Sequence, residues 1–509
     1  MIESLKEVLS DSYSRYGLAV ACAYSEVSLV QNLNDEEEFK QILLNTLCHC
    51  AQNFRMKTEQ NPSIDNELHF RAIPLEELEK DKKLVQSCGL ADKGYYLFPS
   101  TLVNGEGAAT SLFKKNVELR AELTSEKVLK NHDIKTFFDL RNKEILNRKS
   151  VKKSFYYTCC SLITAMTPYK PCFLNFEKIQ GKVNMSNCAV IPDLPLEDMI
   201  VFVKLFSNMQ ASVNLMSTTI SHEYREKNKG KFKRPPIFNG NYPNAPNYPK
   251  LLGGVGLLAS IGLWAKENDM RDKAQSVLES LEDTSLYLIT ADGTSQEHFK
   301  SPIIKLAYSG ELESIVRSLS YTARKISDVE NEQLLFIFHA SRFMQQFNRT
   351  YFKNFLSVRT EYQHWLLPLI KEYFMTTENI SKELVQSATA LGKWLNSICY
   401  FAAKDKLGKA FFEEIAKEKN KYIAELESTI MASKSSIDLA SRISTRGGRM
   451  AHSDMPVEVL PFLQASAWGE IEHKVAQQLV ISFMRVRSNI TKSEESNKSE
   501  AQESIYNQV

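Results

Sequence analysis

The sequence predicts an α+β N-terminal body with a mixed middle region, followed by an all-α C-terminal helical bundle. Three observations predict this. Helix-spaced apolar stretches alternate with short β-rich runs over the first 190 residues or so. A segment dense in Pro, Gly and Asn interrupts the chain at 226–250. From about Ser309 onward prolines become few and apolar residues recur at three- and four-residue intervals. At 509 residues the chain is too long for one core. The pattern divides it into an α+β domain at 1–192, a mixed region at 193–308 and a bundle at 309–488, with a polar, disordered tail at 489–509.

Along the chain, Glu36 to Arg55 carries apolar positions at helical spacing, among them Phe39, Ile42, Leu43 and Leu47. Leu68 to Ile73 and Tyr95 to Phe98 read as strands, and Asn104-Gly105-Glu106-Gly107 as a turn. Cys172 to Ile179 and Val183 to Ile191, joined through Gln180-Gly181-Lys182, form the clearest hairpin. Asp193-Leu194-Pro195-Leu196-Glu197-Asp198 starts a helix, with Pro at the first turn and acids facing the positive end of the dipole. Its expected end is near Arg225. Leu251 to Ala265 holds four glycines and is too short to span a bilayer, so it reads as a closely packed buried helix. Leu286 to Thr290 is a strand with Ala291-Asp292-Gly293 as its turn. In the bundle, Leu384, Ala388, Leu391, Leu395 and Ile398 form one apolar stripe, and Trp468, Ile471, Val475, Leu479, Phe483 and Val486 another.

Composition excludes several classes. Hydrophobic content of 43% and charged content of 24% are those of a globular protein, and a net charge of +2 leaves any nucleic-acid role to local patches. Nine cysteines without paired spacing suggest buried reduced thiols, not a disulfide framework or a zinc site. The start Met1-Ile2-Glu3-Ser4-Leu5 lacks the form of a signal peptide, so the expected location is cytoplasmic, with no membrane contact. No phosphate-binding Gly-rich motif or nucleophile elbow is present. His222-Glu223-Tyr224-Arg225-Glu226 lacks the second His of a metalloprotease helix, and no carboxylate cluster suggests a metal-dependent nuclease. No cofactor, metal or catalytic residue is expected.

Three basic groupings remain. Lys227, Lys229, Lys231, Lys233 and Arg234 precede Asn239-Gly240-Asn241-Tyr242-Pro243-Asn244 in a long loop, which sets phosphate-binding cations beside short amides able to reach base edges. A solvated insertion explains the same loop equally well. Arg148, Lys149, Lys152 and Lys153 precede Phe155, Tyr156 and Tyr157, which reads better as a helix with a basic solvated face and a buried aromatic one. Arg442, Arg446 and Arg449 flank Gly447-Gly448, which reads either as a phosphate clamp at a helix break or as an ordinary helix terminus.

The layout of α+β body, Lys/Asn-rich loop and helical bundle resembles the large subunit of type I CRISPR surveillance complexes (Cascade). Ala189-Val190-Ile191-Pro192-Asp193-Leu194-Pro195-Leu196-Glu197-Asp198 with Met199-Ile200-Val201-Phe202 resembles a strand-to-acidic-helix junction of the myxobacterial-type and cyanobacterial large subunits. Leu251-Leu252-Gly253-Gly254-Val255-Gly256-Leu257-Leu258 resembles the small-residue helix that follows there. The paired Cys-x-x-Cys motifs of some relatives are absent. The resemblance implies a non-catalytic subunit that recognises the protospacer-adjacent motif on DNA, helps open the duplex and holds the displaced strand, while guide pairing supplies most of the sequence specificity. The implied partners are guide RNA, target DNA, the other Cascade subunits and, downstream, a nuclease-helicase or transposition proteins.

Residue chemistry then assigns the parts. Asn239, Asn241 and Asn244 are candidates for reading base edges from the minor groove. Lys227, Lys229, Lys231, Lys233 and Arg234 are candidates for gripping phosphates. Arg442, Arg446 and Arg449 are candidates for tracking a single strand. Met375 precedes Thr376-Thr377-Glu378, read here as a helix start. Because some relatives make a small subunit from an internal start, 375–488 is expected to serve as one. The rival readings are a structural adaptor of a ribonucleoprotein and a metal-dependent nuclease with an unrecognised site.

Overall fold

A computed structural model describes residues 2–25, 36–53, 56–60, 67–72, 154–167, 169–179, 182–211, 219–221, 241–242, 247–248, 250–290, 293–325, 331–408, 411–450 and 454–487. The described part is mostly helical and divides into two units, Met1–Val316 and Arg317–Val509.

The first unit opens with α1 (Ile2–Ser10), α2 (Ser12–Ser25) and α3 (Glu36–Asn53), the last matching the predicted helix. Strands β1 (Met56–Gln60), β2 (Glu67–Ala72) and β5 (Thr219–Ser221) form an antiparallel sheet of order β1-β2-β5. Helix α4 (Phe155–Met166) is capped by Ser154, whose hydroxyl accepts from the Tyr157 N–H at 3.2 Å, and Tyr156 and Tyr157 are buried as predicted. The predicted hairpin is present: β3 (Cys172–Ile179) pairs antiparallel with β4 (Lys182–Pro192), in a register that sets Ile179 opposite Lys182. Strands β7 (Leu286–Thr290) and β8 (Gly293–Glu297) and the short β6 (Asn247–Tyr248) complete a second sheet of order β6-β3-β4-β7-β8. Because β4 is hydrogen-bonded to β7, residues on both sides of position 192 share one sheet within the first unit.

Helix α5 (Leu196–Ala211) starts where the Pro and acids placed it, but it stops well short of Arg225. The β-branched Thr219 and Ile220 favour extended backbone, and β5 forms there. Helix α6 (Gly253–Glu267) is the buried glycine-rich helix. A Cβ at Gly262 would collide with the Ala307 carbonyl oxygen of α8 (Ser301–Tyr308), so only glycine permits this approach. Helix α7 (Arg271–Ser280) packs beside α6.

The boundary between units falls inside α9 (Glu311–Lys325). The second unit contains α10 (Asn331–Gln346), α11 (Arg349–Ser357), α12 (Leu367–Thr376), α13 (Lys382–Leu407), α14 (Phe412–Met431), α15 (Ser436–Met450), α16 (Leu460–Ala467) and α17 (His473–Met484). Phe343, Phe352, Phe355 and Tyr373 form an aromatic cluster, with Phe352 stacked on Tyr373 at 3.9 Å. Each such buried ring contributes about 1.5–3 kcal/mol through area removed from water. The first predicted stripe maps to α13; of the second, Val475, Leu479 and Phe483 lie on α17, Ile471 and Val486 are buried just outside it, and Trp468 lies beyond the end of α16 and is 73% exposed. Met375 lies in the last turn of α12, and the next helix begins at Lys382 with Ser381 as its cap, so the predicted helix start at Thr376 is displaced by six residues. Tyr95 to Phe98, Asn104 to Gly107, Arg148 to Lys153, His222 to Glu226 and the tail 489–509 lie outside the described residues.

Seven described cysteines, Cys22, Cys50, Cys159, Cys160, Cys172, Cys188 and Cys399, are buried, as composition suggested. Burial pushes the Cys22 and Cys399 thiols up to about 12, which keeps them protonated and unreactive.

Candidate nucleic-acid interface

Of the loop residues singled out in the sequence, Lys227, Lys229, Lys231, Lys233, Arg234, Asn239 and Asn244 lie outside the described residues. Asn241 and Tyr242 are described, and they fix the loop to the body. The Asn241 N–H donates to the Cys172 carbonyl at 3.0 Å. The Asn241 Oδ1 accepts from the Cys172 N–H at 2.7 Å, and its Nδ2 donates to the Lys170 carbonyl at 2.7 Å. One side chain thus satisfies the backbone where β3 begins, and it is only 6% exposed. Tyr242 is buried with its ring edge toward Phe206 of α5, 6.5 Å between centroids. The expectation that Asn241 reads bases is therefore corrected: its amide is spent on buried backbone groups and faces the core. The sequence signal for this role is weak, because Asn beside Pro and Gly looks the same whether it caps backbone or meets a ligand.

Lys170 belongs to the same anchor. It is fully buried, donates from Nζ to the Thr164 carbonyl at 2.8 Å near the end of α4, and burial lowers its ammonium to about 8. It is a structural lysine inaccessible to a polyanion.

The arginines of the second unit are all described. Helix α15 runs without a break through Gly447-Gly448, so the expected clamp at a helix break is corrected. Gly447 is there because Trp394 of α13 lies against it; a Cβ would sit 2.9 Å from two ring atoms. Arg442, Arg446 and Arg449, spaced i, i+4 and i+7, share one face of α15, while Leu439, Ile443 and Gly447 are buried. Arg442 Nε donates to Asp438 Oδ1 at 2.8 Å, and Arg446 Nη2 to Glu425 Oε2 of α14 at 2.8 Å. Arg449 is exposed and has no ion pair among the described residues. Surface pairs of this kind are worth about 0–1 kcal/mol, so an incoming phosphate can displace either carboxylate. What remains of the clamp is a ladder of three guanidinium groups along a rigid helix.

The N-terminus of α6 is closed to an external anion. Glu297, buried on β8, accepts from the Gly254 N–H at 3.1 Å and occupies the place a phosphate would take. Among the described residues no group of three His, Cys, Asp or Glu side chains could hold a metal ion. None of the described helices is long and apolar enough to cross a membrane.

No curated protein and no solved structure matches the chain. A family model does: that of CRISPR-associated protein Csp2, along residues 11–487. That span takes in both units, from α2 to the end of α17, and the chain therefore belongs to the CRISPR-associated protein Csp2 family.

Proposed function

We propose that this chain is the non-catalytic large subunit of an RNA-guided type I complex, which recognises the short motif beside the target, helps open the duplex and holds the displaced strand. Family membership along 11–487 is the observation that carries the reading. The basic stretch 227–234 supports it, and Asn241 and Tyr242, which follow it in sequence, are held by the start of β3 and by α5. The arginine face of α15 supports it too, as a surface suited to a polyanion. Asn239 and Asn244 are the base readers on this proposal. Its partners are guide RNA, target DNA and the other Cascade subunits, acting in the cytoplasm.

Binding of a motif-bearing duplex by the assembled complex tests this. Asn239→Ala with Asn244→Ala is expected to weaken binding by about 1–3 kcal/mol for each base no longer read, while leaving motif-less DNA unaffected. Unchanged discrimination would make the chain an adaptor. Cutting of the duplex by the isolated chain with Mg²⁺ would make it a nuclease.

The proposed small subunit starting at Met375 would consist of α13 to α17 with no part of α10 or α11 and only a remnant of α12. It would leave Phe483 without Phe374, its neighbour 6.0 Å away, and Arg485 without the carbonyls of Leu356 and Val358. Intact-mass analysis of the purified complex decides the matter: a fragment beginning at or near Met375 is expected, and a complex containing only full-length chain removes the proposal.

A further inference from the structure

The first unit holds a groove whose lining includes none of the sites described above. It has a volume of about 970 Å³, opens to solvent, and is walled by α2, α5, α7 and Tyr169. Tyr24, in the last turn of α2, is 46% exposed, and its ring stacks on His49 of α3 at 4.1 Å with 27° between planes. Burial holds the His49 imidazole below its ordinary value, which favours its neutral form. Tyr169 is close by: burial raises its phenol, and Cys50 and Tyr24 add to the rise. The stacked Tyr24 and His49 rings make an aromatic platform, with Tyr24 half in water.

The other walls supply charge and polarity. Lys204 and Asn208 come from α5, Asp272 and Lys273 from α7, and all four are exposed. Lys204 lies near enough to α2 to pull the Cys22 thiol down against the effect of burial. Neither Lys204 nor Lys273 has an ion pair among the described residues, and Asp272 is the single carboxylate of the lining. An exposed ring on a fixed support, with two free ammonium groups facing the same space, matches a planar base carrying a phosphate. An apolar peptide segment would leave both lysines unused, and an acidic one would leave the platform unused.

We propose that this groove takes one nucleotide of a single-stranded nucleic acid, with the base stacked on Tyr24 and the phosphate held by Lys204 and Lys273. Asn208 offers a donor and an acceptor to the base or sugar. The proposal rests on the reading of this chain as a nucleic-acid-binding subunit, yet uses no residue of that reading's sites. RNA and DNA strands present the same chemistry here, since every base has a π-face.

Fluorescence anisotropy with the full-length chain and two short mixed-sequence probes, one RNA and one DNA, tests it. Tyr24→Ala is expected to weaken binding of at least one probe by about 5- to 100-fold, whereas Tyr24→Trp retains it. Lys204→Gln and Lys273→Gln each flatten the salt dependence by about 0.7, the slope carried by one neutralised phosphate of a single strand. The probe that responds more identifies the strand. All these side chains are exposed or half-exposed, and thermal melting of each variant checks that folding is intact; Lys273→Gln, on the outer face of α7, keeps the test valid even if Tyr24→Ala unfolds. The proposal fails if neither probe binds, or if binding is indifferent to the groove variants and disappears only on changing Arg442, Arg446 and Arg449. It also fails if the groove variants release a partner subunit from the complex with probe binding unchanged. Failure of the motif-reading proposal is seen separately, with duplex DNA and the Asn239 and Asn244 variants.

Discussion

Replacing Glu427 with alanine is expected to destabilise the helical unit by about 3–5 kcal/mol. Glu427 grips Arg485 with both carboxylate oxygens, Nε to Oε1 at 2.5 Å and Nη2 to Oε2 at 3.0 Å. The remaining guanidinium nitrogen donates to the Leu356 carbonyl at 2.6 Å, the Val358 carbonyl at 3.1 Å and the Tyr362 hydroxyl at 3.1 Å. Burial opposes the Arg485 charge, but Glu427 and Tyr362 outweigh it and hold the group cationic. Removing the carboxylate would leave a buried, uncompensated charge at the point where α17 joins the segment paired with Tyr362. Urea unfolding followed by circular dichroism reads the cost as a lowered midpoint. The double change Glu427→Leu with Arg485→Met is expected to cost less than Glu427→Ala alone, because no orphan charge remains. A loss below about 1 kcal/mol for Glu427→Ala would mean the network is not what fixes this end of the unit.

A second carboxylate links this network to pH. Burial raises Glu361, but Lys419 and Arg487 outweigh it and leave it below its ordinary value. A carboxylate depressed in the folded state contributes its full stability above the unfolded value of about 4.3 and loses it as pH falls through the folded one. The wild-type unit should therefore weaken below about pH 4, and Glu361→Gln should weaken less steeply over that window.

Elements with a strong local signal were legible in the sequence. The β3–β4 hairpin, the Pro-led start of α5, the glycine-rich α6 and the stripes of α13 and α17 each carry their periodicity or turn chemistry within a dozen or so residues. What required three-dimensional contacts was not legible. The hydrogen bonding of β4 to β7 joins the N-terminal segment to the mixed region, and nothing near Pro192 announces a partner at Leu286. Gly447-Gly448 looked like a break because glycine weakens an isolated helix, but tertiary packing overrides propensity when Trp394 needs the space. Asn241 shares its chemistry with its neighbours Asn239 and Asn244, and only its position beside Cys172 shows that it serves backbone. The Tyr24–His49 platform joins residues of two helices and has no sequence signature at all.

The largest functional effect is expected from the cations of the loop. If Lys227, Lys229, Lys231, Lys233 and Arg234 each engage one phosphate of duplex DNA, counterion release gives a slope of about −4.5 in log affinity against log salt from these five alone. Raising salt from about 50 to about 200 mM would then weaken binding by roughly 500-fold through this term. Phosphate contacts carry no sequence information, so neutralising all five should lower affinity equally for motif-bearing and motif-less duplex. A loop that is only a solvated insertion predicts no change in either quantity.

The most direct measurement is the salt dependence of target-duplex binding by the assembled complex, with the wild-type chain and with the variant Lys227→Gln, Lys229→Gln, Lys231→Gln, Lys233→Gln and Arg234→Gln. The predicted result is a slope shallower by about 4–5 in the variant, with motif discrimination preserved. Identical slopes for the two complexes would contradict the claim that this chain grips nucleic acid through its basic loop.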